Sequence, residues 1–300
     1  MNKTLITGHR GLLGSALSAK IVAKNFPGKI SDFLIFSQFL QDNKIETVIH
    51  CAAKVGGVKH NYENKIKFYL HNSKLNDIVF ESCYCNQVKN LVNFSSTCVF
   101  PSDATYPLTE DQIFNGKPHY TNDAYAYSKR MMHFMCGLAR QQGLNYFTII
   151  PTNLFGPQDN YNIADGHVLP ALIHKCYLAK QNNDVFVVGG TGKPLREFLY
   201  SMDLARITDE LIKLGFDGES IIVSNSEEIS IAECAKLVSK YIGFEGKIEF
   251  DPNFPDGQLR KPTNNDLLKS ILPNFKFTPF EEALKDSVDW FVKNYETARK

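Results

Sequence analysis

A hydroxyl, a thiol, a phenol and an ammonium fall within one stretch of the chain, Ser96 to Lys129. Tyr125 and Lys129 are four residues apart, so on a helix they share one face. An ammonium beside a phenol favours the phenolate and lowers the phenol pKa. Such a phenol can pass a proton to a carbonyl oxygen while hydride reaches the carbon. Ser96, in Ser96-Thr97-Cys98-Val99-Phe100-Pro101, can hold the same oxygen. A tyrosine and lysine at this spacing are more often a surface pair. The catalytic reading rests on their combination with Ser96 and with a glycine-rich N-terminus.

Cys98 lies two residues beyond Ser96, and in an extended segment the two side chains point the same way. A lone buried cysteine is usually a small hydrophobe, which fits Cys51, Cys136, Cys176 and Cys234. Cys98 differs by its place on the rim of the site. A thiolate there could remove a proton from the carbon next to a ketone. Such a base needs an acid on the opposite face. Among the eight histidines, His167, in Asp165-Gly166-His167-Val168-Leu169-Pro170, is the best placed. His9, His60, His71 and His133 read as structural.

These groups need a scaffold. Short apolar runs at Thr4–Thr7, Thr47–Ala52, Asn90–Ser95 and Tyr146–Ile150 predict strands. Helical patterns fall at Gly11–Lys24, Phe33–Gln41 (capped by Ser31 or Asp32), Tyr69–Cys85 and Tyr125–Gln142. Strands that alternate with helices, apolar on both faces, predict an α/β fold with a doubly wound, Rossmann-like parallel sheet. Ser96 then sits at the carboxyl edge, where such sheets bind ligands. The second half is less regular. Val185–Val188 and Ser220–Val223 read as isolated strands, and Ile231–Tyr241 and Phe280–Tyr295 as amphipathic helices. Pro252, Pro255, Pro262, Pro273 and Pro279 punctuate the rest. We expect a nucleotide-binding domain over 1–155 and a smaller α+β substrate lobe over 156–300, with about 185–210 returning to the first domain.

Gly8, Gly11 and Gly14 stand at G-x-x-G-x-x-G spacing between the first strand and first helix. Glycines there allow a tight turn, close approach to a pyrophosphate, and close helix–strand packing. The free N–H groups of the helix start then bind phosphate. Arg10, inside the motif, is placed to meet a 2′-phosphate and favours NADP over NAD. A full second strand is missing: only Gly28–Ser31 could be extended before the second helix. We expect a sheet trimmed at this edge to at most one very short strand, with Asp32 a helix cap rather than a ribose ligand. A regular five-residue strand within 20–45 would contradict this.

Composition removes other classes. A net charge of +1 argues against a nucleic-acid partner held by bulk electrostatics. No apolar run approaches the roughly 20 residues of a membrane span, so no membrane partner is expected. The N-terminus enters a strand directly, without the features of a signal peptide. Seven scattered cysteines argue against a disulfide framework. Cys83-Tyr84-Cys85 is too tight for a zinc pair, and no metal site is expected. The implied compartment is reducing, hence cytoplasmic.

The chain resembles the GDP-L-fucose synthase family, the GDP-4-keto-6-deoxy-D-mannose 3,5-epimerase-4-reductases of the extended short-chain dehydrogenases/reductases. The likeness covers nearly the whole chain. It is carried by Ala52-Ala53-Lys54-Val55-Gly56-Gly57, Ser96 to Pro101, Tyr125 to Arg130, Pro151-Thr152-Asn153-Leu154-Phe155-Gly156-Pro157, Asp159 to Asn162, Gly166 to Pro170, Arg196-Glu197-Phe198 and Asp256-Gly257-Gln258. Cys98 with His167 is specific to this family, whereas Tyr125 and Lys129 belong to the whole superfamily. The resemblance implies NADP(H), with Ser96, Tyr125 and Lys129 reducing C4. It implies Cys98 as base and His167 as acid at C3 and C5. Along the cofactor it places Leu12, Leu13, Ala52, Ala53, Ser95, Lys129 and His167, with Pro151 to Leu154 at the nicotinamide. Asn153, Lys175, Gly189, Arg196, Asp256 and Lys261 match positions on the GDP-sugar. It further implies a homodimer, formed through Tyr69–Cys85 and Tyr125–Gln142.

Two features depart from the family pattern. The segment 25–32 is shortened, which bears on cofactor affinity. Gly189 stands where the family often has a tryptophan against the nucleotide, which bears on base recognition. Two other functions fit the same fold: epimerase/4-reductase action on another nucleotide sugar, such as a GDP-heptose, and a non-catalytic NADP-binding regulator. The complete set Ser96, Cys98, Tyr125, Lys129 and His167 argues against the regulator, because a binding module needs no proton base and acid.

Overall fold

The computed structural model describes residues 3–254 and 256–300. Met1, Asn2 and Pro255, the last among the punctuating prolines, lie outside the described residues. The first half runs β1 (Thr4–Thr7), α1 (Leu12–Lys20), β2 (Lys24–Asn25), α2 (Phe33–Asp42), β3 (Thr47–His50), α3 (Val58–Glu63), α4 (Lys65–Cys85), β4 (Asn90–Phe94), α5 (Asp123–Arg140) and β5 (Asn145–Pro151). The second half adds β6 (Asn153–Phe155), α6 (Val168–Asn182), β7 (Phe186–Gly189), β8 (Leu195–Tyr200), α7 (Ser201–Lys213), β9 (Ser220–Val223), β10 (Glu228–Ser230), α8 (Ile231–Ile242), β11 (Ile248–Asp251), α9 (Asp266–Ile271) and α10 (Phe280–Lys293).

Six strands form one parallel sheet in the order β2-β1-β3-β4-β5-β9. Neighbouring strand residues point to opposite faces, and the core divides accordingly. Ile6, Ile49 and Val92 pack under α1 and α7 with Leu17, Leu204 and Ile207. Leu5, Val48 and Leu91 pack on the other face under α2, α4 and α5 with Phe36, Val79 and Met132. Each such side chain, fully buried, contributes about 1.5–3 kcal/mol. Strand order reverses between β1 and β3, which opens a crevice at their carboxyl ends.

The second strand is reduced to two residues, Lys24 and Asn25, beside Ile6 and its neighbour Leu5. Among the described residues no strand follows before Thr47, in agreement with the trimmed edge expected from the sequence, although the short strand lies at Lys24–Asn25 and not within Gly28–Ser31. Phe26 closes that edge instead. Its ring is buried and meets Phe36 and Phe39 edge-on, with centroids 5.1 and 5.2 Å apart. Asp32 caps α2 by accepting from Ile35 N at 3.0 Å. The first helix ends earlier than expected, at Lys20, because Ile21 turns extended and Lys24 is needed in β2.

Ser220–Val223, expected as an isolated strand, is instead the outer strand of the main sheet, parallel to β5. Its run of apolar residues, buried on both faces, suits that place. The remaining strands form two small sheets, β10-β8-β6 and β11-β7. Against these, α6, α8 and α10 pack in a separate core that includes Leu172, Phe186, Val238, Leu284 and Phe291.

Candidate active site

Every expected cofactor residue on the main sheet lies at its carboxyl edge. β1 ends at Thr7, and Gly8 turns the chain with φ +69°. A Cβ on Gly8 would lie 2.7 Å from Ala52 N, and one on Gly14 only 2.1 Å from Gly8 O. The turn therefore brings β1, α1 and the Ala52–Ala53 segment together as closely as backbone allows. Gly11 caps α1, and Gly11 N donates to Gly8 O at 2.9 Å. Leu12 and Leu13 open the helix. Arg10 is exposed at the mouth of the turn.

A buried polar chain backs this turn. Thr7 Oγ1 accepts from Ala52 N at 3.2 Å and lies 2.8 Å from His50 Nδ1. His50 Nε2 lies 3.2 Å from Asn76 Oδ1, and Asn76 Nδ2 donates to Ser128 O at 3.1 Å. The amide oxygen can only accept, so Nε2 carries the ring proton and Nδ1 accepts from the Thr7 hydroxyl. Burial, reinforced by the Lys129 charge, drives the His50 pKa to about 3 and keeps the ring neutral.

Further along the edge, Ser95 Oγ and Thr152 Oγ1 are buried hydroxyls with no hydrogen-bond partner among the described residues. They sit just past β4 and β5, beside Pro151, Asn153 and Leu154. Buried polar atoms normally find a partner, so orphaned hydroxyls beside a glycine cradle fit a dinucleotide. Asn153 is exposed and donates through Nδ2 to Glu197 O at 2.9 Å.

Ser96 and Cys98 do not lie in an extended run as expected. Thr97–Val99 forms a 3₁₀ turn with Ser96 as its N-cap, and Ser96 Oγ accepts from Cys98 N at 3.4 Å. A serine that satisfies a free N–H at the turn start favours this curl over a strand. The turn faces α5. Arg130, buried on that helix, donates from Nε to Val99 O at 2.7 Å and from Nη1 to Gly116 O at 2.8 Å.

Tyr125 and Lys129 share the first turns of α5, with Lys129 Nζ 5.8 Å from the phenol ring centroid. Burial lowers the Lys129 pKa to about 8, against the opposing pull of Cys98 and Cys51. The phenol departs from expectation: burial, then negative charge on Cys98, raises its pKa. In this desolvated setting the burial cost of a phenolate outweighs the nearby ammonium. Tyr125 thus holds its proton at neutral pH. Burial likewise raises the half-buried Cys98 thiol, while Ser96, Lys261 and Lys129 pull it down.

His167 is the N-cap residue of α6. The loop before it is tightly built: Asn162 Oδ1 accepts from Ala164 N and Asp165 N at 2.8 and 3.1 Å, and Asn160 Nδ2 donates to Asp165 Oδ1 at 2.9 Å. Gly57 N donates to Asp165 O at 2.7 Å, and a Cβ on Gly57 would lie 2.8 Å from Gly166 O. The segment after Ala52–Ala53 therefore braces the residues before His167. His167 is exposed at the head of α6, and the protein packed around its ring still shifts its pKa down.

Arg196 on β8, Asp256 and Lys261 form a charged group within electrostatic reach of one another. Asp256 accepts from Thr191 N and Oγ1 at 2.7 and 2.6 Å. Lys261 donates to Thr97 O at 2.6 Å. Lys175 lies apart on α6; among the described residues no hydrogen bond or ion pair joins it to that group. Gly189 ends β7, and a Cβ there would lie 3.2 Å from Cγ of the exposed Phe254.

Sequence reasoning passed over Arg130 and Glu197 as positioning groups. Glu197 is buried and accepts from Ser224 Oγ, Thr263 Oγ1 and Thr263 N at 3.0, 2.6 and 3.0 Å. It ties β8 to the end of β9 and to the stretch that carries Lys261. Both residues stand within segments that carry the family likeness, which is the one signal that could have singled them out.

Comparison with known proteins places the whole chain. Residues 4–224 match the NAD dependent epimerase/dehydratase family. The chain is 40% identical to a GDP-L-fucose synthase of Dictyostelium discoideum, over 99% of this chain and 97% of that protein. It is 36% identical over the full length of both chains to a probable GDP-L-fucose synthase of Drosophila melanogaster. The chain belongs to the GDP-L-fucose synthase family. A GDP-L-fucose synthetase from Naegleria fowleri, solved bound to NADP, superposes with a TM-score of 0.90 at 39% identity. That superposition covers 100% of this chain and 96% of the other.

Proposed function

We propose that this protein converts GDP-4-keto-6-deoxy-D-mannose to GDP-L-fucose, by epimerisation at C3 and C5 and NADPH-dependent reduction at C4. The observation that carries the reading is Cys98. A reductase alone needs Ser96, Tyr125 and Lys129; a half-buried thiol on the same rim, coupled to both Lys129 and Lys261, adds a base for carbon acids.

The C4 ketone acidifies the protons on C3 and C5. Cys98, as thiolate, removes one, and charge passes to the C4 oxygen as an enolate. His167, as imidazolium, returns a proton from the other face. The neutral pair and the thiolate–imidazolium pair hold the same number of protons, so one transfer between them arms the site. Burial favours the neutral pair, and the cations beside Cys98 oppose that. NADPH, held by the Gly8–Gly14 turn, Ala52–Ala53, Ser95 and Pro151–Leu154, supplies hydride to C4 when bound. Ser96 holds the C4 oxygen and Tyr125 gives it a proton. Lys129 stabilises the phenolate left behind. Arg196, Lys175 and Lys261 suit the diphosphate by charge-assisted hydrogen bonds.

The quaternary reading is a homodimer through α4 and α5. Both helices expose apolar side chains on their outer faces: Ile66, Tyr69 and Leu70 on α4, and Tyr127, Met131, Phe134 and Leu138 on α5. The α5 set recurs at the spacing of one helix face, and α4 packs beside α5. Seven unpaired cysteines support a reducing, cytoplasmic setting. Among the described residues no helix is long and apolar enough to cross a membrane.

The test is NADPH oxidation with GDP-4-keto-6-deoxy-D-mannose, with the product identified by NMR. GDP-L-fucose as product supports the proposal. Turnover only with a GDP-heptose ketone would assign another sugar, and NADPH binding without turnover of either would leave a regulator.

A further inference from the structure

The sequence places Lys261 among the groups for GDP, yet its ammonium lies on the carbonyl of Thr97 at 2.6 Å. Thr97 precedes Cys98 within the 3₁₀ turn, so this contact fixes the backbone that aims the thiol. The lysine is not a loose arm. Leu108 N donates to Pro262 O at 2.9 Å, and Asn264 N donates to Leu108 O at 2.8 Å. Thr263, two residues along, is clamped by the buried Glu197 through two hydrogen bonds of 2.6 and 3.0 Å. Pro262 and Asn264 are therefore tied to Leu108 beyond the turn and Thr263 to β8, which fixes the backbone that carries Lys261.

A thiol base in this cleft faces a specific difficulty: burial favours its protonated form. The groups that act on it can be named from each side. Ser96 lies on its own turn. From α5 come Lys129, Arg130 and Tyr125, and from the segment after β11 comes Lys261. Lys129 acts on the Cys98 thiol less than Lys261 does, and it also faces Cys51 and the Tyr125 ring. Arg130 holds Val99 O and Gly116 O through Nε and Nη1, and no hydrogen bond joins it to the Cys98 thiol among the described residues. Lys261 is itself desolvated to a pKa of about 8, and Cys98 as thiolate is the largest influence holding its proton on.

We propose that Lys261 is a positioning residue for Cys98: its ammonium holds the turn that carries the thiol and supplies the positive charge that the thiolate requires. This deepens the function proposed above and rests on it only for the role of Cys98 as a base. One of the three ammonium N–H groups is spent on Thr97 O, which leaves two for a substrate phosphate. The same lysine can thereby couple seating of the diphosphate to readiness of the base.

The experiment measures alkylation of Cys98 by iodoacetamide from pH 6 to 10, read by peptide mass spectrometry on substrate-free protein. Cys85, exposed and distant in the chain at the end of α4, is the internal reference. Below about pH 8, where Lys261 is charged, Lys261→Met should slow Cys98 alkylation about tenfold, with Cys85 unmoved. Lys261→Gln keeps a donor for Thr97 O but no charge, and should shift the same way. Lys261→Arg should stay within about half a unit of wild type, about threefold in rate. In Lys261→Gln, confirmed as folded by circular dichroism, an unchanged Cys98 profile would overturn the proposal. So would an Arg variant as impaired as the Gln variant. The thiol titration needs no substrate, so a shifted profile in a protein without epimerase activity would uphold the coupling and reject the activity instead.

Discussion

Replacing Lys129 with methionine should stabilise the substrate-free protein at neutral pH while ending its reductase activity. Lys129 is buried to 3% exposure, and its pKa falls from 10.5 to about 8. The sign follows from proton linkage. Between those values the unfolded chain binds the extra proton and the folded chain does not, so folding gains stability as pH rises through the window. Below pH 8 both states are charged, and the folded state bears the full cost of a desolvated ammonium. A tenfold loss of proton affinity corresponds to about 1.36 kcal/mol, which puts that cost at about 3 kcal/mol. Methionine matches the lysine stem and carries no charge, and the swap itself costs less than about 1.5 kcal/mol in packing. Lys129→Met should therefore gain about 2 kcal/mol at pH 7, and the gain should fall by about 3 kcal/mol by pH 10.5. Thiols and phenols remote from Lys129 titrate in both proteins and cancel in the difference. Urea unfolding followed by circular dichroism, at half-unit pH steps, gives this difference directly. NADPH oxidation should fall by about 10²–10⁴. A stability difference that is flat from pH 7 to 10.5, or a variant less stable than wild type throughout, would refute the reasoning.

Two further outcomes follow from packing. Gly14→Ala places a Cβ 2.1 Å from a backbone oxygen of Gly8, which cannot move aside without opening the turn; it should cost about 3 kcal/mol in a urea melt and weaken NADPH in a fluorescence titration at least about tenfold. Phe134→Glu combined with Leu138→Glu charges the exposed stripe of α5; sedimentation velocity should show dimers for the wild-type chain and monomers for this variant.

Sheet and cofactor turn were legible because their causes are local. Leu5-Ile6, Val48-Ile49 and Leu91-Val92 are apolar on both faces, as a buried parallel strand requires, and Gly8 and Gly14 stand where any Cβ would strike backbone. The shortened second strand was legible as an absence of residues, and Asp32 as a cap by its place before α2. What stayed hidden depends on tertiary partners. The curl at Ser96–Val99 needs Arg130 and Lys261 to hold Val99 O and Thr97 O, and neither lies beside those carbonyls in the chain. Ser220–Val223 looked isolated because its partner, β5, is far away in sequence. The phenol of Tyr125 was misjudged because a lysine four residues away is visible in the sequence, whereas the burial that outweighs it is not. Lys261 matched a nucleotide-sugar position, and only the fold shows its ammonium on the turn of Cys98.

The central claim is that one cleft holds two separable machines, a thiol base for C3 and C5 and a phenol acid for C4. Deuterium incorporation from heavy water into GDP-4-keto-6-deoxy-D-mannose, read at C3 and C5 by NMR, tests it most directly. Cys98→Ser should abolish incorporation at both carbons, while Tyr125→Phe should stop NADPH oxidation and leave incorporation largely intact. Full exchange in Cys98→Ser, or loss of exchange together with reduction in a folded Tyr125→Phe, would contradict the account.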